Sequence, residues 1–137
     1  MSKKFAFELV SPEEKLVSTE LYMAVIPGDE GEFGVMAGHC SLVSSLKPGV
    51  VKLFSEEGQP ARRIFITGGF ADVSAQNCTI IAEEAVNVKD LNQKALEQDL
   101  ANLNEDLGMA AEDSDKKRIT GQINLTKARL KALVDAS

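Results

Sequence analysis

Two hydrophobic periods divide the chain. From Phe5 to about Val88, apolar residues recur at every second position. Phe5, Phe7 and Leu9 alternate with Ala6 and Glu8, Val51 and Leu53 flank Lys52, and Ile64 and Ile66 alternate with Arg63 and Phe65. Side chains of a strand point alternately to its two faces, so this is the pattern of strands with one buried face. The run 21–26 is apolar at both parities and predicts a strand buried on both faces. Turn-forming pairs interrupt the runs: Ser11-Pro12, Pro27-Gly28, Pro48-Gly49, Glu57-Gly58, Gly68-Gly69 and Gln76-Asn77. Short strands separated by turn signals about every 8–12 residues predict a β-sandwich or barrel over residues 1–88.

Beyond Val88 the period lengthens. No proline follows Asp90, and glycine appears only at Gly108 and Gly121. Asp90 is a candidate N-cap, with Gln93 three residues on. Leu96, Leu100, Leu103 and Leu107 then follow at helical spacing, and Gly108 is a candidate stop. A second helix fits from about Ser114, with Ile119, Ile123, Thr126, Leu130 and Leu133 on one stripe. Two amphipathic helices with a short link predict an antiparallel hairpin over residues 89–137.

Charge separates the two helices. From 91 to 107, Lys94 stands against Glu97, Asp99, Glu105 and Asp106; from 115 to 134, six cations (Lys116, Lys117, Arg118, Lys127, Arg129 and Lys131) stand against Asp115. One reading is two solvated faces whose opposite charges help the helices pair, although exposed pairs are worth only about 0–1 kcal/mol each. The other is a basic helix with an acidic partner elsewhere. The 137-residue chain has a net charge of −6, which is unsuited to nucleic-acid binding through counterion release. The start, MSKKFAFELV, lacks the build of a signal peptide, and no run of about 18 apolar residues occurs. Cys40 and Cys78 show no metal or redox spacing and are expected to be reduced core thiols of a cytoplasmic protein.

Catalysis finds no support in the residues. His39 is the only histidine, so no two-histidine metal site can form within the chain, and no nucleophile elbow, Walker lysine loop or CxxC pair occurs. The stretch 27–49, PGDEGEFGVMAGHCSLVSSLKPG, has glycines that imitate a phosphate loop, but Asp29, Glu30 and Glu32 would repel an anion there. The glycines read instead as turn formers in a folded-over β-loop. No enzyme activity, cofactor or metal is expected. From the residues alone, the chain is a β-domain with a helical hairpin, suited to holding partners.

Three collinear stretches resemble one family. GEFGVMAGHCSLVSSLKPGVV is similar to the GxxGxxPGHAPLLTxLKPG region of the epsilon subunit of bacterial F-type ATP synthases. IFITGGFADVSAQNCTIIAEEAV resembles that family's strand-GGF-strand region, and FELVSPEEKLVS its first hairpin. The resemblance implies a ten-stranded sandwich followed by two helices, in a non-catalytic rotor part of the central stalk. It implies a gamma subunit and a c-ring as partners, and transient contact of the hairpin with the alpha/beta catalytic head, where the hairpin can brake ATP hydrolysis. Membrane association would come only through the complex, on the cytoplasmic face of a bacterial inner membrane. By resemblance, Ser11 and Glu32 face the c-ring, His39 lies near gamma, and Lys116, Lys117, Arg118, Lys127, Arg129 and Lys131 belong to the regulatory helix. A free-standing adaptor with the same fold is the alternative. Ala37 and Cys40-Ser41 depart from the family's proline-bearing pattern. In LNQKAL, Asn92 and Ala95 stand where ATP-binding members carry Asp and Arg, so nucleotide binding is expected to be weak or absent.

Overall fold

The computed structural model describes residues 3–59 and 61–136. Met1, Ser2, Pro60 and Ser137 lie outside the described residues, so the outermost ends of the expected segments do too. The chain forms two units, Met1–Asn87 and Val88–Ser137.

The first unit contains ten strands: β1 (Phe5–Val10), β2 (Lys15–Leu21), β3 (Met23–Gly28), β4 (Gly31–Met36), β5 (Leu42–Leu46), β6 (Gly49–Phe54), β7 (Arg62–Ile66), β8 (Gly69–Val73), β9 (Asn77–Ala82) and β10 (Ala85–Asn87). They pair in the order β10-β7-β6-β3-β5-β8-β9-β1-β2, with β4 on β3. Among the described residues only β1 and β9 run parallel; the other pairs are antiparallel. Between β3 and β5 the ladder narrows to the pair Gly28 and Leu46, supported by Asp29 N–H donating to Ser45 O and Lys47 N–H donating to Pro27 O. This seam divides the sheet into two five-stranded halves. One inner face carries Phe5, Phe7, Leu9, Val73 and Ile80; the other carries Ala24, Ile26, Val51, Leu53 and Ile66; all belong to a single buried cluster. The inward parity expected at Phe5, Phe7, Leu9, Val51, Leu53, Ile64 and Ile66 is the one observed, but Phe65, expected on the outward parity, is also buried, so the end of β7 is covered on both faces.

Stretch 27–49 differs from the loop expected of it. Most of it is strand: the end of β3, then β4 and β5. The turn itself is only Asp29 and Glu30, between the paired residues Gly28 and Gly31. Gly31 has φ +134°, a value side chains rarely adopt, so the residue returns the chain from turn to strand without strain. Glycine content hid the strands, because Gly31 and Gly34 break the apolar alternation without breaking the ladder.

In the second unit a 3-10 turn (Val88–Asp90) precedes α1 (Gln93–Met109) and α2 (Asp113–Ala136). The cap is Asn92 rather than Asp90: Asn92 Oδ1 accepts the Ala95 N–H at 3.0 Å, with the extended backbone that a cap requires. Asp90 is held in the 3-10 turn, which closes with the Leu91 N–H on Val88 O. Gly108 does not stop α1. The helix runs on to Met109 and leaves through an extended Ala110, so no left-handed residue is needed. Leu96, Ile119, Ile123 and Thr126 are buried; Leu100, Leu103, Leu107, Leu130 and Leu133 are half-buried. The two leucine-bearing stripes therefore lie where the sequence spacing puts them, and α1 packs on α2. Thr126 meets its polar requirement by donating from Oγ1 to Gln122 O at 2.9 Å.

Gly69 opens β8 at φ +145°, and a Cβ there would stand 2.0 Å from Ile81 O. Replacing it with alanine adds backbone strain to a clash with a neighbouring strand. Gly69→Ala should therefore lower the unfolding free energy by about 3 kcal/mol or more in urea titrations. Gly108→Ala, where a Cβ meets nothing within 4 Å, should cause no loss.

Candidate docking face

Alternation buries Leu9, Ala71, Val73, Ile80 and Leu46, and so turns their neighbours outward. Across four adjacent strands the outward residues form rows. Val10 on β1 is level with Ile81 on β9, Ile81 with Phe70 on β8, and Phe70 with Ser45 on β5. The next row runs Glu8, Thr79, Asp72, Val43. Phe70 is 57% exposed, Ile81 54% and Val43 74%. Scattered apolar residues on a surface are ordinary; cross-strand neighbours form a continuous patch, and a patch signals association. Glu8 meets Lys15 Nζ at a loose 3.7 Å, with both side chains substantially exposed.

The patch is not apparent from the sequence. FADV and NCTIIA stand out there only within the stretch that resembles the family, and an outward Phe or Ile looks like extra strand propensity. The available signal was that Phe70 and Ile81 sit one residue out of phase with the buried set on their own strands.

The residues singled out beforehand go to different places. Ser11 follows β1 in the first hairpin turn, where its N–H and its Oγ both donate to Glu14 O, at 2.9 and 3.4 Å. Glu32 is exposed on β4, opposite Pro27. The register chain from Val10 through Ile81, Phe70 and Ser45 to Asp29 places the Ser11 turn and the turn before Glu32 at one end of the sandwich. His39 is at the other end, where its neighbour Gly38 donates to Ala75 O at 2.7 Å. Its own Nδ1–H donates to the Cys40 carbonyl at 2.7 Å. An open cavity of about 670 Å³ lies beside the β3–β4 turn, with the carboxylates Asp29, Glu30 and Glu32 together with Ser44, Ser45 and Phe33 in its lining. Among the described residues no cluster of three or more His, Cys, Asp or Glu could hold a metal ion. The arrangement offers surfaces for association.

Residues 4–88 match the family model for the ATP synthase delta/epsilon chain, beta-sandwich domain. The chain belongs to the ATP synthase epsilon family. It is 43% identical to the ATP synthase epsilon chain of Parvibaculum lavamentivorans over 118 residues, covering 86% of this chain and 88% of that one. It is 37% identical to the epsilon chain of Rhodospirillum rubrum over 136 residues, covering 99% and 95%. In solved structures it resembles a chain of the Euglena gracilis mitochondrial ATP synthase OSCP/F1/c-ring assembly, with TM-score 0.78, 25% identity, and coverage of 97% of this chain and 80% of that chain. The fold is also that of a chain in the Tetrahymena thermophila mitochondrial ATP synthase central stalk/c-ring structure, with TM-score 0.64, 16% identity, and coverage of 96% and 98%.

As an epsilon-type chain it is a non-catalytic subunit of the ATP synthase rotor. Among the described residues no helix is long and apolar enough to cross a membrane. On α2, Lys116, Lys117, Arg118, Lys127 and Lys131 are exposed and Arg129 is half-buried. Arg118 reaches Asp115 at 3.8 Å, so part of the positive charge is offset within the first turns.

The cysteines are not alike, which corrects the expectation of two core thiols. Cys40 is exposed, because it follows β4 in the segment before β5; Cys78 is buried on the inner face of β9. Burial pushes the Cys78 thiol up to about 12, with a smaller contribution from the Asp72 carboxylate. The unfolded chain gives up this proton near the ordinary thiol value and the folded chain does not. The associated stability is therefore complete below about pH 9 and is lost as pH rises toward 12. An aromatic disulfide reagent should label Cys40 in the native protein and Cys78 only after unfolding. In alkaline denaturant titrations, Cys78→Val should flatten the fall in stability above pH 9.

Proposed function

We propose that the outer face around Phe70, Ile81 and Val43 docks the gamma subunit, while the end bearing Ser11 and Glu32 meets the c-ring. The observation that carries this reading is the continuous exposed apolar patch on strands of an epsilon-type sandwich. Residues 1–88 are then the assembly unit and 89–137 the regulatory unit. His39, at the opposite end from Ser11, serves as a gamma-facing residue at the margin of the same contact. The acidic recess at Asp29, Glu30 and Glu32 suits basic or polar ring loops, since opposite charges there steer docking and fix its register. The whole assembly works at the cytoplasmic face of a bacterial inner membrane.

The hairpin is the brake. Its cationic α2 contacts acidic segments of the alpha/beta head when extended. Each exposed pair is worth about 0–1 kcal/mol, but several together bias a two-state hairpin by a few kcal/mol. With Asn92 acting as the helix cap and Ala95 offering no cation, nucleotide does not set that balance in the isolated chain.

Glu32→Lys in the assembled complex should reduce ATP-driven proton pumping while leaving the melting temperature of the isolated chain unchanged. Equal losses of both would make Glu32 a structural residue. A complex carrying alanine at Lys127, Arg129 and Lys131 should hydrolyse ATP several-fold faster than wild type at low salt. The difference should fade at high salt, because screening acts over about 8–10 Å. Hydrolysis indifferent to these substitutions would leave the basic helix as a solvated face.

A further inference from the structure

The docking face contains a carboxylate beside its apolar residues. On the outer surface Asp72 has Val43 directly across on β5, Thr79 across on β9, and Phe70 two residues before it on its own strand. Phe70 is thus about 7 Å away along the strand, and the cross-strand neighbours are about 5 Å away. Phe70 and Val43 lie diagonally across the β5–β8 ladder, and Asp72 and Ser45 flank that diagonal, so a partner surface that spans both apolar residues reaches Asp72. Asp72 is exposed, and among the described residues it makes no ion pair. One strand further lies Glu8, in the same row, about 10 Å from Asp72 across Thr79. Glu8 already leans on Lys15 at 3.7 Å, whereas Asp72 has no such cation among the described residues.

A carboxylate that loses its water without gaining a partner is costly, so an apolar occupant alone would be opposed where its contact should be tightest. A second copy of this chain would bring the same acidic row against itself, on a chain of net charge −6. We propose that Asp72 is a specificity-determining residue of the docking face. It takes a Lys or Arg that the stalk partner carries inside an apolar contact surface, and Glu8 guides a second cation at the rim. The apolar row supplies contact area in any orientation that covers it. The buried charge pair fixes the one orientation in which Asp72 is satisfied, and so rejects apolar surfaces that lack the cation.

The inference rests on the docking reading above, and one series of measurements separates the two. The probe is the recombinant gamma subunit from the same complex, with its affinity for the full chain measured by biolayer interferometry at 50 and 300 mM salt. Variants are Phe70→Asp, Asp72→Asn, Asp72→Lys and Glu8→Gln, with the melting temperature of each recorded. Asp72→Asn, which keeps the shape, should weaken binding about tenfold or more and flatten the salt dependence; Asp72→Lys should weaken it by about a hundredfold. Glu8→Gln should act mainly on the association rate, by a few-fold. If Phe70→Asp abolishes binding while Asp72→Asn binds as wild type with the same salt dependence, the face docks gamma and the charge assignment is wrong. If Phe70→Asp binds as wild type, gamma docks elsewhere and both readings fall.

Discussion

Everything in the first unit depends on strand parity. Two five-stranded halves share one apolar interior, and each strand contributes every second residue to it. A slip of one residue would exchange Phe7, Leu9 and Ile80 for Glu8 and Thr79, so the register is fixed strongly by burial alone. The same rule makes the outward positions informative. Parity sends whatever lies between buried residues to the surface, and folding places little demand on what stands there. A Phe, an Ile and a Val on one outward surface of adjacent strands therefore point to a use other than folding.

The seam between the halves shows how little backbone pairing such a fold requires at its corner. Only Gly28 and Leu46 pair across it, flanked by the two main-chain bonds from Asp29 and Lys47. A side chain at Gly28 would stand 2.8 Å from Gly31 O and 2.9 Å from the Phe33 ring. Close approach at this corner is what lets β3 pair along β4 and still pass its neighbour from β6 to β5. It also places the acidic turn beside the docking face rather than far from it.

Much of this was legible in the residues. Alternation gave the inward set of β1, β6 and β7, and a stripe at helical spacing gave both helices, because a period is read over many residues and tolerates local exceptions. Features decided by one residue's surroundings were not legible. Asp90 and Asn92 are both acceptable caps by type, and the 3-10 turn that occupies Asp90 decided between them. Cys40 and Cys78 look alike in sequence, and only the ladder shows that one lies on a strand's inner face. The site was the harder part. Ser11, Glu32 and His39 came from a resemblance, while Phe70, Ile81 and Asp72 needed the register of four strands before they became neighbours at all.

A docking face built on strands behaves differently from one built on loops. Phe70 and Ile81 stand on strands held by a ladder on either side and by buried neighbours on the opposite face, so little backbone conformational entropy remains to be lost there on association. Such rigidity suits a rotor part, which must transmit torque without yielding. The hairpin has the opposite construction. Its helices share a narrow apolar stripe, most of their described residues are exposed, and the Arg118–Asp115 pair within α2 is a loose contact between exposed groups. Helices of this kind derive most of their stability from packing on something else, so their position responds to what is offered nearby. One chain thus combines a strand-built unit with a largely exposed helical one, a division that suits a stalk subunit.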